Sequence, residues 1–208
     1  MDGHLDVAQN FKEAMRWFKM AIESGSISPY YLMGLAYYNG QGVNIDYKQS
    51  FDYFLEAAER FDHRDAYVML GKAYEVGLGT NQNYDMAKLM YEISAEKEYI
   101  KAYVELGIMY QNINWNANSQ EKAFFWLEKA AQKDETEAQI RVAFMYKNGE
   151  GVKQDSEKAI KWLTTAVNMN PNSTKYFIGI IHRITNDFGD MSDFLFDRSI
   201  ESILTDMK

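Results

Sequence analysis

The chain repeats itself with a fixed period, and that constrains its fold more than any other feature. A small residue sits inside an apolar stretch at Gly34, Gly71, Gly107, Ala143 and Gly179, at steps of 37, 36, 36 and 36. Each follows an apolar residue (Met33, Leu70, Leu106, Val142, Ile178) and precedes by three positions Tyr37, Tyr74, Tyr110, Tyr146 and His182. A second series fills the gaps: Trp17, Tyr53, Met90, Trp126 and Trp162, at steps of 36, 37, 36 and 36. Small residues flank it, Ala14, Ser50, Ala87, Ala123 and Ala159 on one side and Ala21, Ala57, Ser94, Ala130 and Ala166 on the other. Two independent series that share one period and one single-residue insertion define an array of small units. Each unit buries its apolar face only by stacking on its neighbours.

The internal spacing makes both halves of a unit helical. In the first half, helix A, Ala66, Leu70 and Tyr74 fall at i, i+4 and i+8 on one face. In the second, helix B, Ala123, Trp126 and Ala130 fall at i, i+3 and i+7. A glycine inside a helix costs on the order of 1 kcal/mol in propensity. Gly71 and its equivalents therefore imply a close approach of helix A to helix B, against a large aromatic. The Trp/Tyr series reads as core rather than as a stacking platform for bases, because basic residues do not interleave with it. Between the helices run Gly40-Gln41-Gly42, Gly77-Leu78-Gly79 and Gly149-Glu150-Gly151, read as left-handed helix stops. Asp46, Asn83 and Asp155 follow as N-caps of helix B, and Asn10 stands at the equivalent place.

Composition supports an ordered, helical chain. Of 208 residues, 47% are hydrophobic and 15% aromatic, too many for disorder, and only Pro29 and Pro171 interrupt helix formation. The net charge of −8 disfavours a nucleic acid or an anionic membrane as partner. No stretch approaches the roughly 18 apolar residues of a membrane span. With no basic, apolar leader visible at Met1, the expected location is cytoplasmic, taking Met1 as the natural start.

The residues that carry chemistry in other proteins are poorly placed for it here. The absence of cysteine excludes disulfides, thiolate metal sites and a cysteine nucleophile. His4, His63 and His182 lack ligand-spaced companions, so no metal site is expected. The Gly-x-Gly connectors lack the Lys-Ser/Thr of a phosphate loop. Asp134, Glu135 and Glu137 sit at a turn and read as a solvated charge run, not as a paired-carboxylate site. No cofactor is expected, and the chain reads as not an enzyme.

The assembled unit resembles the Sel-one-like repeat (SLR), a relative of the tetratricopeptide repeat. Ala66, Leu70, Gly71, Tyr74, Gly77 and Gly79 match its first half; Lys122, Ala123, Trp126, Lys129, Ala130 and Ala131 match its second. So do Gly149, Gly151, Val152, Asp155, Lys158, Ala159 and Trp162. The resemblance implies an all-α fold, an α-α superhelix: a right-handed solenoid of antiparallel helix pairs. We read one repeat domain over 1–208, with an N-terminal half-unit at 6–27 and complete repeats at 28–61, 64–99, 101–134 and 137–170. A half-unit at 173–184 and a C-terminal capping helix at 186–208 complete it. Pro29 replaces the opening alanine of the first complete repeat, and Ile113 and Trp115 replace both connector glycines of the third, which should differ in shape.

By similarity to the tetratricopeptide arrangement, Tyr30, Tyr67 and Tyr103 are core aromatics, and the helix A positions around them form the inner face of the solenoid. That face holds Tyr31, Leu35, Tyr38, Lys72, Glu75, Ile108, Gln111, Phe144, Lys147, Tyr176 and Arg183, with Val68 and Val104 among them. The resemblance implies a scaffold or adaptor that binds a protein or peptide partner there, as a monomer or heterocomplex. The alternative is an immunity-type inhibitor of a basic toxin or effector enzyme. A hydrolase, suggested by the β-lactam binding of some cysteine-rich relatives, lacks any nucleophile–base pair.

Overall fold

The computed structural model describes residues 3–26, 29–113 and 116–169, and within them the chain is all-α, its helices packed as sequential antiparallel pairs. The helices are α1 (Gly3–Glu23), α2 (Pro29–Asn39), α3 (Tyr47–Phe61), α4 (Arg64–Val76), α5 (Tyr84–Glu96), α6 (Ile100–Asn112), α7 (Ser119–Ala131), α8 (Thr136–Asn148) and α9 (Ser156–Met169). The chain divides into two compact units, Met1–Trp115 and Asn116–Lys208. The expected half-unit at 173–184 and capping helix at 186–208 lie outside the described residues.

In the first unit the closest pairs are α2 with α3 and α4 with α5, and the small residue of helix A makes them possible. A Cβ added at Gly34 would stand 2.5 Å from the ring of Phe54, and one at Gly71 would stand 2.4 Å from the ring of Tyr91. Those distances leave no room for a methyl group, so glycine is required by packing and not by backbone conformation. The helix B face is equally bare. Ser50 and Ser94 stand where other repeats have alanine, and their hydroxyls donate to the backbone carbonyls of Gly34 (2.8 Å) and Arg64 (2.9 Å). Tyr91 is fully buried, and its hydroxyl is satisfied by donating to Glu75 at 2.9 Å.

The Trp/Tyr series is not the core of helix B, contrary to the sequence reading. Trp17 is 66% exposed, and Tyr53, Trp126 and Trp162 are only half-buried. The residue one position later fills the interior: Phe54, Tyr91, Leu127 and Leu163 are all 2% exposed or less. A helix advances 100° per residue, so two adjacent positions share one apolar flank, and the sequence alone did not say which points inward. Tyr53 instead lies along the flank, stacked on Tyr37 with ring centroids 5.6 Å apart.

The connectors behave as their glycines demand. Gly40, Gly77 and Gly149 stop helix A with φ of +70°, +81° and +73°. The second glycine of each also has positive φ, but it has a further task. Its missing Cβ would lie 2.5 Å from the carbonyl oxygen of Phe11 at Gly42, and 2.0 Å from those of Tyr47 at Gly79 and Gln120 at Gly151. Each contact falls on the B helix of the preceding repeat, so this glycine sets how closely one repeat sits on the last. Asp46, Asn83 and Asp155 then cap helix B by accepting from the backbone N–H of Gln49, Met86 and Lys158 at 2.9–3.0 Å.

Asn10 is not a cap: α1 runs through it from Gly3, because no glycine stop precedes it. At the third connector, Ile113 closes α6 in an extended conformation (φ −109°, ψ 103°) where the other repeats turn left-handed. The return from helix B to the next helix A is also periodic. Gly25, Asp62, Glu98 and Asp134 all take positive φ, a series that residue identity concealed. Pro29 opens α2, where its lacking N–H costs no hydrogen bond.

Three expectations follow. Gly34→Ala should lower stability by about 1–3 kcal/mol through overpacking against Phe54, despite its better helix propensity. In a Phe54→Leu background, which copies the Ala143–Leu163 combination of the last repeat, the same change should become neutral or stabilising; urea denaturation of the four-member cycle checks this. Gly79→Ala should destabilise more than Gly77→Ala, whose new Cβ would meet nothing nearer than 3.2 Å; thermal unfolding compares them. The third concerns pH. Burial, and then the Glu75 carboxylate, hold the Tyr91 hydroxyl far above its ordinary range. A group whose folded pKa is raised contributes stability that is full below its unfolded pKa and lost as pH rises past it. Wild-type stability should therefore fall above about pH 10, the unfolded tyrosine value, and Tyr91→Phe should flatten that fall. At neutral pH Tyr91→Phe should cost about 1 kcal/mol for the lost hydrogen bond.

Candidate partner-binding surface

The helix A positions expected to face a partner were assigned by pattern, and the first unit shows what each of them touches. Here α2, α4 and α6 supply three successive A helices, with α4 in contact with α6. Tyr31, Leu35 and Tyr38 lie on α2, all half-buried. Tyr31 stacks on the ring of His63 at 4.6 Å and leans on Phe54 at 5.7 Å. Burial first, and the nearby Asp65 second, raise its hydroxyl above the ordinary tyrosine value, so it remains a neutral donor. Tyr38 packs edge-on to Tyr47 at 5.7 Å, at the end of α2 beside the connector. Tyr30 and Tyr67 are half-buried, and only Tyr103 of the three expected core aromatics is fully interior.

The charged members of the face are tied together. Lys72 of α4 pairs with Glu105 of α6. Glu75 accepts from the buried Tyr91 hydroxyl, which anchors a surface carboxylate from beneath. Asp65 accepts from the Tyr99 hydroxyl at the start of α6, while the Arg64 guanidinium covers the Tyr99 ring at 4.9 Å. Burial, then the bond to Asp65, push the Tyr99 hydroxyl well above its ordinary range. Ile108 and Gln111 lie on α6, half-buried. Val68 and Val104 are 5% and 7% exposed, so these two belong to the interior and not to the face.

Sequence reasoning missed Tyr99, Glu105, His63 and Arg64, which are as much part of this surface as the positions it named. Tyr99 and His63 immediately precede their A helices and are half-buried N-caps without a side-chain cap bond. Their spacing of 36 residues was the available signal. At the base of the same repeat, Lys97 bonds Asp62 and so joins the turn after α3 to the end of α5; this bond holds the Asp62 carboxyl below its usual range.

In the second unit, α8 carries Phe144 and Lys147, both half-buried, and Glu137 pairs with Arg141 on the same helix at 2.8 Å. Tyr176 and Arg183 lie outside the described residues. Among the described residues, no three His, Cys, Asp or Glu side chains are grouped to hold a metal ion. No described helix is long and apolar enough to cross a membrane.

Comparison with known proteins places this arrangement. The Sel1 repeat family model matches residues 1–26, 30–60, 64–99, 116–135 and 136–171. The gap between the third and fourth matches spans α6 and the connector whose glycines are replaced by Ile113 and Trp115. A Sel1 repeat protein from Oxalobacter formigenes is 31% identical over 76% of this chain, with a TM-score of 0.69. A protective antigen of uropathogenic Escherichia coli displaying an SLR fold is 28% identical over 76% of the chain, again at 0.69. The matched regions cover 64% and 33% of those two proteins, so the chain spans less than two thirds of either. A sel1 repeat protein from Klebsiella pneumoniae subsp. pneumoniae shares the fold at 18% identity and a TM-score of 0.51, covering 82% of this chain and 83% of that one. A search of curated proteins found no match. With the family pattern matched over most of its length and the paired helices in place, the chain belongs to the Sel1 repeat family, an SLR-type α-solenoid of the kind that typically serves as a protein-interaction module.

Proposed function

We propose that the chain is a non-catalytic scaffold or adaptor that holds a protein or peptide partner along its helix A faces, at the positions around Tyr31, Leu35, Lys72, Ile108, Phe144 and Lys147. The observation that carries this is the composition of the face in the first unit. Large half-buried side chains, Tyr31, Leu35 and Ile108, share it with charged groups engaged within the protein, Lys72 with Glu105 and Asp65 and Glu75 with tyrosine hydroxyls. Such a surface offers apolar area to a partner without requiring it to neutralise buried charge. Aromatic and apolar anchors of this kind dominate the energy of protein interfaces, and the Tyr31–His63 stack holds one of them in a fixed rotamer.

The inhibitor reading needs an open acidic groove to meet a basic toxin. In the first unit Asp65, Glu75 and Glu105 are each engaged, by Tyr99, Tyr91 and Lys72. Glu105 is neutralised by Lys72, and Asp65 and Glu75 are tied to tyrosine hydroxyls of the protein itself, which favours the scaffold reading over it.

The reading is tested with a phage-displayed peptide library selected on the purified protein, with selected peptides titrated calorimetrically against variants. Leu35→Ala with Ile108→Ala should weaken binding by about tenfold or more, at unchanged helical circular dichroism. Leu89→Ser, on the exposed flank of α5, should leave binding unchanged. Peptides that bind equally to all three proteins would place the partner site elsewhere.

A further inference from the structure

One cleft of the first unit carries a charge opposite to that of the chain around it. It has a volume of about 470 Å³ and lies between α1 and the connector that follows α2. Its floor is apolar. Met15 is 4% exposed and clusters with Met33, Ala36 and Tyr37, and Val43 packs on that cluster. Gly42 borders the cleft where its backbone lies against Phe11 and Lys12. The wall is a stripe of three exposed cations on α1: Lys12, Arg16 and Lys19. Met20, 49% exposed, and Glu23 continue it toward the end of the helix.

Helix stacking does not cover this face. One period later the positions of Lys12, Arg16 and Glu23 are Lys48, Asp52 and Glu59 of α3, and two periods later Asp85, Leu89 and Glu96 of α5. All six are exposed, although α3 packs between α2 and α4, and α5 between α4 and α6. The face of α1 therefore stays open whatever precedes that helix. Its charge is what differs. On α3, Lys48 pairs with Asp52 at 2.6 Å and Glu56 with Arg60 at 3.0 Å; on α5, Asp85, Glu92 and Glu96 are all acids. On α1 the Lys48–Asp52 pair becomes Lys12 and Arg16, like charges at i and i+4, which repel and weaken a helix. Among the described residues none of the three cations is paired with a carboxylate. Local structure gives no reason for the stripe; an incoming anion does.

We propose that this cleft docks a short acidic peptide segment of a partner protein, its carboxylates on Lys12, Arg16 and Lys19 and an apolar side chain on Met15 and Val43. The site is separate from the helix A positions of the proposed function. Its size selects the occupant. From Lys12 to Lys19 the stripe runs about 10 Å along the helix axis, the reach of about three extended peptide residues. A nucleic acid or an anionic bilayer presents its charge over a longer distance. It would meet Glu59, Asp85 and Glu96 on the following B helices, in a chain of net charge −8. A short acidic segment meets the stripe alone.

The test is a phage-displayed peptide library selected on the full chain and counter-selected on a variant with Lys12→Gln, Arg16→Gln and Lys19→Gln. That variant keeps the helix A faces, so counter-selection removes peptides bound there and the outcome is independent of the scaffold reading. Selected peptides should be rich in Asp and Glu beside a large apolar residue. By fluorescence anisotropy the triple variant should bind them about tenfold or more weakly, with its thermal stability unchanged or raised. A control with Lys133→Gln, Lys153→Gln and Lys161→Gln, exposed cations elsewhere, changes the net charge equally and should bind like the wild type. Affinity should fall with added salt. Phosphatidylserine vesicles and single-stranded oligodeoxythymidylate should not bind. A selection that yields no peptides, or peptides without an acidic excess, overturns the proposal. So does equal weakening in both triple variants, which would reduce the effect to bulk charge, or a lowered melting temperature in the first, which would make the stripe structural. Binding of the vesicles or the oligonucleotide that the first variant abolishes would assign the stripe to that polyanion instead.

Discussion

A ring lying on a bare stretch of helix backbone is the contact on which the rest of this structure depends. Phe54 over Gly34 and Tyr91 over Gly71 bring helix B to within 2.4–2.5 Å of where a Cβ would be. The glycines weaken the intrinsic helix propensity of α2 and α4, which only tertiary packing offsets. The two differ in pattern: α4 has one apolar face, whereas α2 is apolar nearly all round and packs on both α1 and α3. Stability in such an array is a sum over pairs and interfaces, each short in sequence. A repeat that loses its ring-on-glycine contact should therefore loosen locally.

A second close approach sets the spacing between repeats. The outer connector glycine lets its backbone touch the carbonyl of the preceding B helix, at Phe11, Tyr47 and Gln120. Because the obstacle is backbone, no rotamer change relieves a substitution there. The single connector that lacks both glycines is the one at which the chain divides into its two compact units, between Trp115 and Asn116. It is also where the Sel1 match is interrupted. Loss of the glycine pair and loss of repeat regularity thus coincide at one place in the sequence.

The candidate binding face is a by-product of this stacking. Successive A helices come close enough for Lys72 to reach Glu105 and for Asp65 to reach Tyr99, and Tyr31, Leu35 and Ile108 lie half-buried on the same helices' faces. Of the two contacts only Lys72–Glu105 is an ion pair, and being partly solvated it contributes little to stability. Their effect is to hold side-chain positions on the proposed face.

Much of this was legible in the residues. Period, helix pairing, glycine stops, the three side-chain caps and the need for glycine opposite an aromatic all followed from local rules, because each depends on contacts within one unit or on backbone conformation. Three things required tertiary structure. Which of two adjacent positions in helix B points inward is a matter of about 100° of rotation, and the pattern of large residues named the wrong one. Asn10 has the identity of a cap but lies within α1, since a cap needs a chain break before it. Val68 and Val104 look like surface positions in the repeat but are buried, and the partners of Glu75, Asp65 and Lys72 are 16 to 34 residues away. Periodicity determines which residues are equivalent; only the rotation and approach of packed helices decide which of them meet.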